Sequence, residues 1–240
     1  MGTTPTIGIT TSTEPVARAI VVAEELSAQR PGVIDEPKWL LWAREVQAIA
    51  QTGLAFTQDP YDLERYQRLR VIAAEMVADG TGVELERIQS LFAQEVGYAT
   101  PKVDVRGAVF RDQRILLVRE VSDGGWTLPG GWADVNQSAR ECVEREIREE
   151  SGFEARALKL AAVCDYRRQG HRNALPYSIY KMFFVCELTG GAARTSLETS
   201  GVDFFDPHQL PPLSLGRTNP RQIALMFAHR EDPTLPAEFD

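Results

Sequence analysis

The sequence predicts an α/β fold preceded by a small all-α domain. Two observations divide the 240 residues in this way. Apolar residues recur at helical spacing between Glu36 and Val96, in segments with almost no Gly or Pro inside them. From Val103 onward, short β-type runs alternate with a helical segment. The change of pattern predicts a leader over residues 1–33, a helical domain over residues 34–98 and an α/β domain over residues 99–240.

The leader is rich in Thr and Gly, which predicts flexible chain. Ser12 or Thr13 can cap a short helix that starts near Pro15, because proline suits the first helical turn. The alternative interpretation is a tail that packs only against a partner.

Longer helices are predicted in the helical domain. The run Asp79-Gly80-Thr81-Gly82 predicts the end of the second one, near Ala78. The aromatic-rich faces, with Trp39 and Trp42 on the first helix, indicate a core or a subunit interface rather than a cofactor site. The predicted helices are Glu36 to about Thr52, Asp59 or Tyr61 to about Ala78, and Val83 to about Val96.

The α/β domain begins with two strands joined by a turn over residues 111–114. Its long helix is expected to stop at Gly152, since glycine commonly ends helices. The predicted strands are residues 103–110, 115–118, 126–128, 158–166, 177–188 and 202–205, and the predicted helices are residues 138–150 and about 219–228.

Composition excludes several functional classes. The net charge of −8 argues against a surface that tracks the phosphates of DNA or RNA. No apolar run approaches the ~18 residues of a membrane-spanning helix, and the N terminus lacks the pattern of a secretory signal. Cys142, Cys164 and Cys186 lack metal-binding spacing and are expected to be free buried thiols, which favours a cytoplasmic location.

Three glutamates define the candidate site. Glu146, Glu149 and Glu150 are related by i, i+3 and i+4, so on a helix all three carboxylates project from one face. Like charges at this spacing repel unless a cation binds, and an all-oxygen ligand set suits Mg²⁺ or Mn²⁺. The alternative interpretation is a solvated acidic helix face.

The segment containing these glutamates, GWADVNQSARECVEREIREESGF over residues 131–153, resembles the Nudix hydrolase box. That box reads G-x5-E-x7-R-E-U-x-E-E-x-G-U, where U is bulky and apolar. Every specified position matches except Gln137, where the pattern has Glu. The resemblance implies the Nudix α/β/α sandwich with a mixed sheet and a divalent-metal-dependent hydrolase.

The helical domain and the run over residues 210–217 narrow the resemblance. Together they resemble the subgroup that acts on nucleoside diphosphates linked to a second moiety X, such as ADP-ribose and CDP-choline pyrophosphatases. The resemblance implies a small nucleotide substrate, release of a nucleoside monophosphate and phospho-X, and a homodimer formed through the Trp39 and Trp42 face. Two alternatives stay open: a Nudix-fold ligand sensor with little turnover, and a hydrolase of nucleoside triphosphates or RNA ends.

The resemblance also implies roles for residues of the box. Glu146 and Glu150 are expected to be the primary metal ligands, helped by a backbone carbonyl of Gly131 or Gly130. Glu149 is expected to bind a second ion or to polarise water. Arg145 is expected to brace the helix against the loop before it by donating a hydrogen bond to Gln137. Phosphate contact is the alternative role.

The general base is harder to assign. Many family members carry a Glu where this chain has Gly201, while Glu198 and Asp203 lie close by. Glu198 is favoured because it precedes the strand and can reach the metal cluster; a surface carboxylate is the alternative for both acids. Since clustered carboxylates must be ionised to hold a cation, activity is expected to fall at acidic pH.

Positive groups for the substrate are expected from Arg106, Arg119, Arg167 and Arg168, the last two in a Gly-containing loop. The alternative for that loop is a solvated hairpin tip, and His171 within it is expected to be exposed and not catalytic. Trp126 or Trp132 can stack on a base or pack within the glycine turn between them.

Overall fold

The computed structural model describes residues 36–171 and 176–240. The leader and the helix predicted near Pro15 lie outside the described residues. In the described part the helical domain contains α1, Lys38–Phe56, α2, Pro60–Thr81, and α3, Leu85–Gln94. The α/β domain contains β1, Lys102–Arg111, β2, Arg114–Glu120, β3, Trp126–Thr127, α4, Ala139–Ser151, β4, Phe153–Asp165, a 3₁₀ helix, Tyr166–Gln169, β5, Ile179–Gly191, β6, Thr199–Phe205, α5, Pro220–Glu231, and β7, Glu238–Phe239.

Helix α2 shows how local signals begin and end a helix in this chain. The Asp59 side chain caps its first turn by accepting from two backbone N–H groups, and Gly82 ends it in the left-handed conformation. The prediction that α2 ends near Ala78 is wrong, because the helix continues through Gly80 to Thr81. Gly80 is needed there because a Cβ would overlap the Trp39 ring that packs against it.

The helical domain has a small core and an exposed apolar face. Leu40 and Ala43 of α1 pack against Ala73, Ala74 and other residues of α2 and α3. Trp39 packs on this core, so the two tryptophans of α1 have different surroundings. Trp42 is 56% exposed and, with Ile49 and Phe56, forms the outer face of α1.

The sheet is mixed, and its order is β3-β2-β1-β5-β4-β7, with β6 paired to β2. Strands β1 and β5 run parallel, whereas β4 pairs antiparallel with β5 and β2 pairs antiparallel with β1, β3 and β6. Strand β4 begins at Phe153, directly after α4, rather than at residue 158 as predicted, and β7 is an element that the sequence did not predict.

One helix covers each face of the sheet. Successive residues of β2 point to opposite faces, so Leu116 packs with α4, whereas Ile115 and Leu117 pack with α5. The predicted α/β/α sandwich with a helical domain before it is therefore confirmed.

Helix α4 is fixed at both ends and against β1. Ser138 and Glu141 form a reciprocal capping box at its start, and Gly152 ends it in the left-handed conformation. The Ile147 side chain fills the space above Gly107 of β1, where a Cβ would clash. This packing fixes how α4 is rotated, and Glu150, three residues after Ile147, is buried at the edge of the packed face.

All three cysteines are buried and free, as predicted. None of the described helices is long and apolar enough to cross a bilayer.

Candidate active site

A cleft of about 690 Å³ lies where α4, β1 and β5 meet. Acidic side chains from α4 and positively charged side chains from the sheet both line it. Trp132 and Leu197 also line the opening. The charged residues that line the cleft are Asp104, Arg106, Glu120, Asp134, Arg145, Glu146, Glu149, Glu150, Lys181, Glu198 and Arg217.

We call Glu146, Glu149 and Glu150 the acidic wall. Glu150 is buried, and its Oε2 accepts a hydrogen bond of 2.8 Å from the Gly130 backbone N–H. The Glu146 carboxylate lies beside the Cα of Gly131. Glu149 is the most open of the three, with a side chain 53% exposed. The three acids predicted from helical spacing therefore face one cleft.

Burial changes the ionisation of the acidic wall. Desolvation raises the pKa of Glu150 to about 7, because the nearby charge of Arg106 and the Gly130 hydrogen bond compensate only in part. Desolvation also raises the pKa of Glu146, and the charge of Glu149 adds to that effect. Glu146 and Glu150 thus hold protons more tightly than free glutamates do, and a bound cation would displace them.

Arg145 is shared among the acids at the rim of the wall. Its Nη1 lies 2.8 Å from Glu149 and its Nη2 lies 2.9 Å from Glu146. Its Nε donates to Gln137 Oε1 at 3.2 Å, which is the partner expected from the sequence. Its Nη2 also lies 2.7 Å from Asp134, an acid that the sequence analysis did not select.

We call Asp104, Arg106 and Lys181 the cationic floor. Arg106 donates to both carboxylate oxygens of Asp104, from Nε at 2.9 Å and from Nη2 at 2.7 Å. Lys181 Nζ lies 2.9 Å from Asp104 Oδ1. Strands β1 and β5 pair in parallel with Asp104 opposite Lys181, which explains why residues so far apart in sequence meet.

The loop between β3 and α4 is held against β1 by backbone hydrogen bonds. The Gly131 carbonyl, predicted as a metal ligand, accepts from the Val105 N–H at 2.8 Å. Gly130 has a φ of 145°, and a Cβ there would overlap the Val105 carbonyl oxygen. The need for glycine at residue 130 therefore comes from the strand beside it.

The predicted base candidates separate in the structure. Glu198 lines the cleft from the loop before β6. The next residue, Thr199, donates a hydrogen bond of 2.8 Å to the Glu150 carbonyl, which ties this loop to the end of α4. Asp203 is not among the cleft residues, and its Oδ1 accepts from the Phe204 N–H. Gly201 faces Trp126 and Arg119.

The predicted substrate arginines also separate. Arg106 lies in the cleft, but Arg119, Arg167 and Arg168 are not among its lining residues. Arg119 donates to the Gly124 carbonyl at 3.0 Å, and Arg167 pairs with Asp165 at 2.9 Å. The segment after β4, expected to be a loop, begins with the 3₁₀ helix.

His171 corrects a prediction. It was expected to be exposed, yet it is 4% exposed and stacks on Tyr166 with ring centroids 4.5 Å apart. Its Nδ1 lies 2.9 Å from the Leu215 carbonyl oxygen. Burial lowers the pKa of His171 to about 4, so the ring is a neutral structural group.

Comparison with known proteins identifies the family. Residues 100–226 match the model of the NUDIX domain, and residues 37–92 match a domain described as UDP-X-like, N-terminal oligomerisation domain. The chain belongs to the Nudix hydrolase family. A relative from Bacillus subtilis, provisionally named an ADP-ribose pyrophosphatase, is 45% identical over 205 residues, covering 85% of this chain and 98% of the relative.

Solved Nudix structures agree with this assignment. An ADP-ribose pyrophosphatase from Streptococcus suis is 38% identical with a TM-score of 0.54, covering 59% of this chain and all of its own. A UDP-X diphosphatase is 33% identical with a TM-score of 0.54, covering 84% of this chain and 97% of its own. The second structure spans both domains, so the helical domain is part of the likeness.

Nudix hydrolases generally use divalent metal ions, and the acidic wall fits such an ion in its donor chemistry. The carboxylates of Glu146 and Glu150 offer only oxygen donors, and they lie beside the backbone of Gly130 and Gly131. Within the described residues, no three acids or other ligating groups already converge on one point. Arg145 bonds to Glu146 and Glu149, so these two carboxylates must turn from Arg145 toward an ion.

The Nudix box accounts for the wall but not for the other side of the cleft. Lys181, Glu120 and Arg217 were not selected from the sequence, although all three line the site. Lys181 was detectable only as a charged residue inside an otherwise apolar predicted strand, and Arg217 as a basic residue in the run over residues 210–217. Neither signal identifies a partner.

Proposed function

We propose that this Nudix hydrolase cleaves the diphosphate bond of a nucleoside diphosphate linked to X, releasing a nucleoside monophosphate and phospho-X. The observation that carries the proposal is the pairing of the acidic wall with the cationic floor across one cleft. A diphosphate bound to a divalent cation carries both the positive and the negative charge that such a cleft accepts. ADP-ribose is the first substrate to test, because two relatives carry that name. A UDP-linked compound and CDP-choline follow.

The proposed metal is Mg²⁺ or Mn²⁺, held by Glu146 and Glu150, with Glu149 and a carbonyl of the Gly130–Gly131 turn as further oxygen donors. When bound, the ion neutralises the phosphate oxygens that otherwise repel an attacking water. Arg145 holds Glu146 and Glu149 before the ion binds, and its bonds to Gln137 and Asp134 keep it beside the wall afterwards. Phosphate contact by Arg145 is the alternative.

Glu198 is the proposed general base. It is exposed to the cleft, and the Thr199 hydrogen bond to the Glu150 carbonyl keeps its loop next to the wall. From this position the carboxylate can accept a proton from a water that attacks the diphosphate. Glu149 is the alternative base on the wall itself.

Arg106 is the proposed substrate contact among the four predicted arginines. Arg119, Arg167 and Arg168 are omitted because they are not among the residues that line the cleft. Trp132 is 49% exposed at the mouth of the cleft and is the proposed stacking surface for the base. Trp126 instead packs edge-on against Phe205, with ring centroids 4.7 Å apart.

A homodimer through the helical domain is the proposed assembly, in the cytoplasm. The outer face of α1 exposes Trp42, Ile49 and Phe56, and the matching family domain is described as an oligomerisation domain. Light scattering at micromolar concentration tests this, and a monomer would contradict it.

Product analysis tests the function. ADP-ribose, UDP-linked compounds, CDP-choline and nucleoside triphosphates are each incubated with Mg²⁺ or Mn²⁺, beside the Glu150→Gln variant. We expect metal-dependent release of a nucleoside monophosphate, reduced roughly 1000-fold in the variant, because several kcal/mol of charge stabilisation is lost. Equal turnover by the variant contradicts the metal assignment. Ligand binding without turnover on every compound favours the sensor.

A further inference from the structure

The ammonium group of Lys181 is buried beside the cleft with more donors than partners. Lys181 is 2% exposed and is one of the residues that line the cleft. Its Nζ carries three N–H donors, and among the described residues it pairs with Asp104 Oδ1 at 2.9 Å and lies 5.9 Å from the centroid of the Tyr166 ring. A buried ammonium is costly unless its charge and its donors are matched, so the two remaining donors need acceptors.

Asp104 has a second cationic partner besides Lys181. Arg106 already donates to both oxygens of this carboxylate in a bidentate arrangement. Arg106 has a further hydrogen bond of 3.2 Å to the Leu128 carbonyl, which fixes its orientation. One carboxylate is therefore shared by two cations, and the cationic floor carries one unit of excess positive charge.

The acids nearest to the floor are engaged elsewhere. Glu120 pairs with Arg217 at 3.0 Å, and Glu150 accepts from the Gly130 N–H. Both stabilise the charge of Arg106 at longer range, without a salt bridge to it among the described residues. Lys181 and Arg106 both line the cleft, where a ligand anion can reach their positive charges.

We propose that Lys181 and Arg106 form a phosphate subsite on the floor, which holds the phosphate of the diphosphate group that is farther from the metal-binding glutamates. This inference rests on the proposed function and extends it to the second phosphate. Lys181 supplies two free N–H donors, and Arg106 supplies the N–H donors that Asp104 and Leu128 leave unused. The ligand class is a phosphate anion with at least two oxygens available.

With this subsite, the two phosphates of the diphosphate bind to different sets of residues in the cleft. One phosphate lies at the acidic wall with the metal, and the other lies on the floor without it. Binding at the floor therefore does not require a metal, and this separates the subsite from the metal site experimentally.

Inorganic pyrophosphate is the probe, titrated by calorimetry in EDTA against the wild type and Lys181→Met. The matched control is Arg156→Met, which removes one positive charge from an exposed strand position paired with Glu187. We expect Lys181→Met to weaken pyrophosphate binding about tenfold or more, the loss typical of a charged hydrogen bond, and Arg156→Met to change it less than twofold. The KM of Lys181→Met for the nucleotide substrate should exceed the wild-type KM by a similar factor.

Lys181→Gln is the second variant, because glutamine keeps a donor toward Asp104 if methionine disturbs folding. Equal pyrophosphate affinity in the wild type and a folded Lys181 variant overturns the subsite. So does absence of metal-free binding in both the wild type and Glu150→Gln, which lowers the repulsion from the wall. Failure of the proposed function gives a different result: no nucleoside monophosphate is released by the wild type, whatever its pyrophosphate affinity.

Discussion

Glu150 of the acidic wall and Asp104 of the cationic floor are equally buried, at 6% exposure each, yet they ionise in opposite ways. Desolvation raises the pKa of Glu150 to about 7. The same desolvation acts on Asp104, but the adjacent charges of Arg106 and Lys181 overcome it and hold its pKa at about 2. Partners rather than depth decide the charge of these two groups.

This contrast describes what each side of the cleft lacks. The floor supplies its own counter-charges and has an excess cation, whereas the wall concentrates like charges that Arg145 relieves only in part. Under the proposed function, the wall would bind a metal ion and the floor would bind an anion. Each prediction below changes one side of this comparison.

The largest effect is expected on stability. Glu150 has a folded-state pKa above its unfolded value, so the stability from its protonated form is complete below about pH 4.5 and is lost as pH rises through about 7. In EDTA at about pH 8, Glu150→Gln should therefore stabilise the protein by up to ~3 kcal/mol. Urea denaturation across this pH range measures the difference, which should shrink toward acidic pH.

Asp104→Asn is the matched change on the floor, at the same exposure. In the wild type the folded-state pKa of Asp104 is depressed. The stability that Asp104 contributes is therefore present above about pH 4 and is lost as pH falls through about 2. This variant should therefore destabilise the protein at about pH 8, because Arg106 and Lys181 lose their shared acid. The same sign for both variants would contradict the comparison.

A smaller effect is expected at Arg145. Asp134 is its charged partner on the side away from the wall, and Gln137 is its neutral one. Asp134→Asn should lower kcat about tenfold by loosening Arg145, since charge-assisted hydrogen bonds are roughly twice as strong as neutral ones. Adding Gln137→Glu should restore turnover, because a carboxylate again bonds to the same guanidinium.

Steady-state kinetics of the two single variants and the double variant measure this rescue. Additive losses in the double variant would mean that Asp134 does not act through Arg145. Unchanged kcat in Asp134→Asn would mean that Gln137 alone is sufficient to hold Arg145 in place.

The smallest effect is expected at the mouth of the cleft. Trp132→Ala should raise KM for a nucleotide substrate about fivefold, within the range of lost base stacking, and leave pyrophosphate affinity unchanged. Trp126→Ala is not a suitable control because that ring packs in the core against Phe205. Equal loss for both ligands would show that Trp132 shapes the loop rather than contacting the base.

Local spacing predicted the wall, whereas of the floor only Arg106 was predicted, and long-range pairing revealed Asp104 and Lys181. Glu146, Glu149 and Glu150 lie within one helix whose period is known, so their common face follows from their numbers in the sequence. Lys181 meets Asp104 through the register of two parallel strands, which no local pattern encodes. Asp134 was missed for a similar reason, because its contact with Arg145 depends on the loop's path.

The fold was predicted more fully than the site. Caps such as Asp59 and Ser138 and the stop at Gly152 are local signals, and the structure contains them. The extension of α2 through Gly80 could not be predicted, because it depends on a ring contributed by α1. The burial of His171 depends likewise on Tyr166 and the distant Leu215.

The parallel register of β1 and β5 also has a consequence for how the molecule folds. Asp104 and Lys181 come together only after the chain between them, including α4 and β4, has closed into a long loop. Such distant pairings form late, since the entropy of loop closure must be overcome before the contact is gained. The acids of α4 can gather on an isolated helix, whereas the floor exists only in a completed sheet. Partly folded chains would then present the acids of the wall before the floor exists.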